Sequence, residues 1–469
     1  ITCTSCARSV SFCVERLMSL SQRVTLLQAT AINMIDMVGI GPFIVTSTVM
    51  TIMGGANCLY AWIGGAILAL LDSKVWSELG AAFPEAGGSY AFLRETYGAN
   101  TWGRVLSFLF IWQTLFQSSF VVASGAIGFS SYIEYLFPLP GLLAKKLVAA
   151  GVVAAVTMAL YRNIKSVAKL SVVLWVCVVG TMVWIIASGM LFGTESGIST
   201  FSLAPLSFGA LDVKNLGDSM QLTVYAFLGY YNVCHLGSEI VNPQKNIPRS
   251  MLYSILGITV LYVLMQISIL RVLPIQDIHA KQFVVSMFME RLYGPAVASV
   301  ATVLVLVIAL SSLFAVILGY SRIPYAAARQ GNFLSVFAKT HHTGEFPHVS
   351  LLFIGGISLV ITFLTNDLKV VVGTILTMRI LVQFVGQAIG LALYRKRVGA
   401  DKMPFKMWLY PLPLAAAVAM WLWLFFSRDT QLIQQGLALL LIGLVVYLGT
   451  AKHRSWFPFV PTDTAGKTA

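Results

Sequence analysis

Residues 37–44 read MVGIGPFI, and they interrupt an apolar run that otherwise extends from Gln28 to Met53. Proline fixes its own φ and removes a backbone donor, while glycine adds no side chain to stiffen the chain, so Gly39-Ile40-Gly41-Pro42 should break a helix. In hydrocarbon, the N–H and C=O groups freed by such a break are tolerated only where they line a cavity or are covered by protein. A second apolar run is interrupted in the same way, at Gly229 and again at Gly237, with polar Asn232, His235 and Ser238 among its apolar residues. Two broken segments in corresponding positions of two halves are the sequence mark of a transporter with a solute site near the bilayer midplane. Close helix packing is the plainer explanation of glycines in such helices. The adjacent Gly and Pro of the first segment favour the break.

The rest of the chain agrees with a bilayer setting. Only 10% of the 469 residues are charged and 58% are hydrophobic, with a mean hydropathy of +0.82, whereas soluble domains carry about 25% charged residues. These figures read as an all-α polytopic membrane protein. Cutting at charges, Pro and Gly leaves about twelve apolar spans, starting near Gln28, Cys58, Arg104, Leu142, Leu170, Ser219, Met251, Gly294, His348, Val370, Phe405 and Gln431. The formal charge of +13 is topological, not a sign of nucleic acid: with both ends cytoplasmic, about 22 of the 31 Lys and Arg fall inside and about eight outside. That orientation places the chain in the cytoplasmic membrane with both termini inside and needs an even number of spans. The six cysteines, Cys3, Cys6, Cys13, Cys58, Cys177 and Cys234, form no disulfide framework, and the single Cys3–Cys6 pair is weak for zinc. Residues ahead of Met18 lack the apolar core of a signal peptide and read as a leader.

Several further stretches carry a family resemblance: SELGAAFPEAGGSYAFLRETYG (77–98), SEIVNPQKNIPRSM (238–251), SRIPYAAARQGNFL (321–334) and MPFKMWLYPLP (403–413), together with MVGIGPFI. On its own physics, the first ends a helix at Pro84 and turns at Gly87-Gly88. The second ends a helix at Asn242-Pro243 and starts another near Pro248. With these motifs the chain resembles an amino acid–polyamine–organocation (APC) superfamily permease over nearly its whole length. The resemblance implies a leucine-transporter-type fold: a cytoplasmic N-terminal segment, 1–27, expected to be disordered; a first five-helix repeat, 28–192; an inverted second repeat, 193–397; helices eleven and twelve, 398–450; and a cytoplasmic tail, 451–469.

It also implies that the solute binds between broken spans one and six. A carboxylate would meet the amides around Ile40, Gly41 and Pro42, and an amine the carbonyls near Met37, Tyr225 and Leu228, with Gly39 and Gly229 completing the binding residues. The usual G-S-G-I form is altered here, with Ile40 in place of the small hydroxyl residue and Pro42, which has no N–H, in place of an apolar one. Tyr225, seventeen residues before Asn242, stands where arginine/agmatine-type exchangers carry an aromatic gate, a lid worth about 0.5–2 kcal/mol through cation–π attraction. Tyr231 stands where those exchangers carry a glutamate, which disfavours that specificity.

Ionisable residues at bilayer depth are functional candidates by default. Asp36, about one turn before Gly39, and Glu239, near the inner end of span six, could each carry a proton in one conformation and release it in another. Glu239 reads more readily as a partner of Lys245 or of a helix end. Arg379, in span ten, cannot lose its proton and reads as a gate partner or fixed countercharge. His235 reads as a hydrogen-bonded packing residue. For the lysine that some relatives use in span five, one register nominates Lys169 and another falls near Thr181, where there is no lysine. A sodium site would draw on Ser311 and Ser312 of span eight, although such hydroxyls commonly bond back to their own helix.

The leading function is secondary transport of an amino acid by alternating access, coupled to an ion, the proton ahead of sodium, or by exchange. A polyamine or organic cation is the alternative solute if Asp36, Glu239 and Tyr225 converge on an amine, and a membrane sensor without flux is an alternative of another class. An enzyme is not expected, since no Gly-x-Ser-x-Gly, HExxH or phosphate-loop motif occurs. No cofactor or resident metal is expected. The partners expected are the small solute and the lipid bilayer, with monomer and homodimer both open.

Overall fold

The computed structural model describes residues 24–85, 87–162, 167–193, 212–278, 283–341, 346–364 and 367–459. Side chains are described from residue 175 onward in the helix that begins at Val167, so the Lys169 side chain, like Cys3, Cys6 and Cys13, lies outside them.

The helices in chain order are α1 (Leu26–Met37), α2 (Gly41–Met53), α3 (Cys58–Ala82), α4 (Ser89–Tyr97), α5 (Gly103–Leu136), α6 (Gly141–Arg162), α7 (Val167–Phe192), α8 (Val213–Phe227), α9 (Asn232–His235), α10 (Pro243–Val272), α11 (Val284–Tyr293), α12 (Pro295–Arg329), α13 (His348–Leu364), α14 (Leu368–Arg379), α15 (Gly386–Val398), α16 (Leu412–Phe426) and α17 (Thr430–Arg454). Among the described residues, eight helical stretches are long and apolar enough to cross a bilayer. The pair α1 and α2, bent by 51° at their junction, makes a ninth, and α13 and α16 are shorter apolar helices. The chain is an all-α polytopic membrane protein. Its outward faces fit that setting: Leu142, Leu143, Leu147 and Met158 on α6 and Leu441, Ile442 and Val445 on α17 are exposed apolar side chains that only lipid would cover at low cost.

The first break falls where the sequence places it. Thr25 caps α1, its hydroxyl accepting from the Gln28 N–H while the Gln28 side chain accepts from the Thr25 N–H. Val38 and Gly39 leave the helix, and α2 restarts with Pro42 in its first turn, where a missing N–H costs nothing. The second break lies between α8 and α9. Leu228 ends α8, and Gly229 takes φ +117°, a left-handed conformation that glycine adopts without strain. Two contacts fasten the breaks to each other and to their neighbours. The Tyr262 hydroxyl on α10 donates to the carbonyls of Met37, at 2.8 Å, and Ala226, at 3.0 Å, and the Val233 N–H donates to Asn33 Oδ1 at 2.9 Å.

The turn after α3 packs against the far end of the second break. A Cβ on Gly88 would stand 2.7 Å from His235 Nδ1, and one on Gly237 would stand 3.0 Å from the Glu85 carbonyl, so glycine is required at both for close approach. Two boundaries differ from the sequence reading. The helix expected to start near Pro248 starts at Pro243, with Asn242 as a left-handed cap and Pro248 inside, because one proline so near an N-terminus removes only one intrahelical bond. The eleventh span, expected from Phe405, is helical only from Leu412, since Leu409 takes a left-handed φ of +59° and Pro411 has no N–H to donate.

Candidate functional site

The breaks in α1–α2 and α8–α9 open on a cavity of about 60 Å³. Asp36, Met37, Gly39, Ile40 and Gly41 line it from one broken helix, and Tyr225, Ala226, Leu228, Gly229 and Tyr231 from the other. Val121 and Gly125 of α5, Ser312, Leu313, Val316 and Tyr320 of α12, and Arg379 of α14 close it. Every residue expected to bind the solute thus lines one cavity, as do the expected gate residues Tyr225 and Arg379.

Small residues let the walls approach. A Cβ on Gly39 would fall 2.5 Å from the Ser312 hydroxyl, one on Gly41 would fall 3.2 Å from the Tyr225 ring, and one on Gly229 would fall 2.6 Å from Asp36 Oδ2. The Asp36 carboxylate therefore lies directly over the unwound backbone of the second break. Tyr225 is held in place by a 2.7 Å hydrogen bond between its hydroxyl and that of Ser124 on α5. Arg379 is 3% exposed; its Nη2 donates to the Tyr320 hydroxyl at 2.8 Å and its Nη1 to the Tyr231 hydroxyl. Its guanidinium carbon stands 5.5 Å from the Tyr231 ring centre, within cation–π range. The turn of π-helix that follows, Ile380–Val385, is the kind of irregularity that often accompanies a working site in a membrane helix. Among the described residues no ion pair joins Asp36 to Arg379, so one cavity presents an anion and a cation that do not neutralise each other by contact.

Other expected residues fall elsewhere. Glu239 does not line the cavity; its carbonyl accepts from the Val24 N–H at 3.0 Å, tying the start of the described chain to the end of the second break. Ser311 bonds back to the Val307 carbonyl at 2.6 Å and faces away, while Ser312, next along the helix, reaches the cavity. Among the described residues no group of three or more His, Cys, Asp or Glu could hold a metal ion. Cys58 is fully buried and offers no external thiol.

Three residues near the site escaped the sequence reading. Tyr320 and Ser124 give no signal in sequence, since a hydroxyl on a membrane helix is common. Asp72 does give one: it is a carboxylate inside the apolar run of α3, and the rule that singled out Asp36 applies to it equally.

Two broken helices whose unwound residues surround one cavity define a solute carrier of the broken-helix type. The family described as amino acid permease matches residues 24–447, and the chain belongs to that family. It is similar to the serine/threonine exchanger SteT of Bacillus subtilis (strain 168), 25% identical over 444 residues that cover 93% of this chain and 98% of that one. It is also similar to the b(0,+)-type amino acid transporter 1 of Mus musculus, 28% identical over 73% of this chain and 70% of the relative. The cystine/glutamate transporter of Homo sapiens is 24% identical over 83% of this chain and 77% of its own length. The protein is therefore an amino acid transporter of the membrane, acting on a small-molecule solute, and not an enzyme.

Proposed function

We propose that the chain moves a small neutral amino acid across the cytoplasmic membrane by alternating access, driven by a proton gradient or by exchange. The observation that carries this reading is the cavity that holds Asp36 and Arg379 together with the two unwound backbones. A zwitterion meets it at both ends. Its ammonium group would lie against Asp36 and the carbonyls of the breaks, where the Met37 oxygen keeps a lone pair beside its bond from Tyr262. Its carboxylate would lie against the Gly41 N–H and the guanidinium of Arg379, because Pro42 has no N–H and those of Phe43 and Ile44 bond to the Ile40 carbonyl. The Bacillus subtilis relative, named as a serine/threonine exchanger, supports a small neutral amino acid. A polyamine fits less well, because Glu239 does not join Asp36 and Tyr225 there, and a buried guanidinium would repel a polycation. In this reading residues 28–192 and 193–397 are the two repeats and both termini are cytoplasmic.

The test is a thermal-shift screen of the purified protein against the twenty amino acids and several polyamines. At a hundredfold excess over Kd a ligand adds about 2.7 kcal/mol to apparent stability, so a true substrate stands out. Serine, threonine and alanine should shift the transition, and Tyr225→Ala should remove the shift. Stabilisation by polyamines alone would overturn the assignment. In the same assay Asp36→Asn should weaken serine binding about 10- to 100-fold, since a hydrogen bond to a charged group contributes about 1.5–3 kcal/mol. Unchanged affinity in that variant would remove Asp36 from the ammonium site.

A further inference from the structure

The helix Cys58–Ala82 buries two carboxylates, and they are treated differently. Glu78 accepts two bonds from Arg395, at 2.5 and 2.9 Å, and a third from the Met407 N–H at 3.1 Å, so a cation compensates its charge. Asp72 is 1% exposed and, among the described residues, pairs with no cation. Its oxygens accept from uncharged groups, among them the Tyr230 hydroxyl and Trp421 Nε1, the latter at 3.1 Å. A carboxylate in such a place is costly when ionised, and one proton relieves the cost.

Its position relative to the solute cavity gives that proton a consequence. Tyr230 and Tyr231 are consecutive residues of the unwound stretch after Gly229. Tyr230 is fastened to Asp72, whereas Tyr231 lines the cavity, accepts from Arg379 and stacks on Trp76 of α3 with ring centres 4.4 Å apart. The two tyrosine rings touch edge to face at 5.0 Å. When Asp72 is ionised, Tyr230 must donate to it; when Asp72 takes a proton on that oxygen, the same hydroxyl can turn and accept. The bond that pins the second break then changes its sense.

We infer that Asp72 is a proton-binding site that couples the proton to solute movement through Tyr230 and Tyr231. The step is a simple protonation, a carboxylate plus a proton giving a carboxylic acid. This rests on the amino acid reading of the cavity. The other ionisable groups on the elements packed around this part of α3 are Lys74 and Glu78 on α3 itself; Lys214, Asp218 and Tyr225 on α8; Tyr231, Cys234, His235 and Glu239 of the second break; Lys245, Arg249, Tyr253, Tyr262 and Arg271 on α10; Arg379 on α14; and Tyr394, Arg395, Lys396 and Arg397 on α15. Helix α16 brings Trp421 and no ionisable group. Of these, His235 packs on Gly88 and meets the Tyr231 ring edge to face with centres 6.2 Å apart, so it is the control for Asp72 in the test.

The experiment uses the full chain in proteoliposomes with radiolabelled L-serine, reading exchange against unlabelled serine and accumulation under an inward proton gradient. Asn mimics the protonated acid, and exchange needs no net proton movement. Asp72→Asn should therefore exchange serine within about threefold of the wild type and lose gradient-driven accumulation. Accumulation preserved in Asp72→Asn, or lost in His235→Gln instead, overturns the assignment. Should Asp72→Asn fail to fold, Tyr230→Phe keeps the carboxylate and removes one donor; the pH midpoint of accumulation should move by about one unit, and an unmoved midpoint overturns the proposal. A wild type that exchanges serine without accumulating it also overturns it while leaving the amino acid reading intact. A wild type that exchanges no serine brings down both.

Discussion

Gly229→Val will abolish serine exchange while the protein still inserts and purifies as a single species. The position combines two demands that only glycine meets: φ of +117° and a Cβ direction occupied by Asp36, whose Oδ2 would lie 2.6 Å away and whose backbone carbon would lie 2.9 Å away. A β-branched residue at such a φ costs about 1–3 kcal/mol in strain, and overpacking adds about 1–3 kcal/mol. Both costs fall on the backbone that lines the solute cavity, so the break must rearrange or Asp36 must move off it. Exchange measured in proteoliposomes should fall to background. A variant that exchanged at the wild-type rate would show that Asp36 does not rest on Gly229 during the working cycle.

Glu78→Ala should cost about 3–5 kcal/mol of stability. Glu78 is fully buried, and removing it strands the Arg395 guanidinium, 8% exposed, together with the Met407 N–H. The exposed pair of Lys406 and Asp401, at 3.0 Å, offers the contrast: breaking it should cost no more than about 1 kcal/mol. Denaturant titration of both variants in the same detergent would compare them, and equal losses would contradict the account.

The breaks were legible because their cause is local: Pro42 has no N–H to extend the ladder of α1, and Gly39, Gly41 and Gly229 weaken a helix wherever they stand. The cavity residues on the broken helices followed from that, since unwound backbone must line something. The far wall was less legible. Tyr320 and Val121 reach the cavity, and Ser124 the Tyr225 hydroxyl, only because α5 and α12 cross where they do, and crossing depends on packing that no local pattern encodes. Asp72 was legible by its charge, but its partners, Tyr230 and Trp421, lie 158 and 349 residues away along the chain. Ser311 and Ser312 show the limit of adjacency: neighbours on a helix point about 100° apart, so one reaches the cavity and the other bonds to its own turn.

The single hydroxyl of Tyr262 that holds both the Met37 and the Ala226 carbonyls reduces the kinematic freedom of the carrier. Two broken helices that could hinge separately have two degrees of freedom, and one of the mixed arrangements opens a path on both sides at once. Joined at one oxygen, and again where Asn33 meets Val233, they can separate only by giving up both attachments. A rotation that carries them together keeps both. Leak-tightness in this protein would then come from linkage between the moving parts, in addition to the fit of any gate.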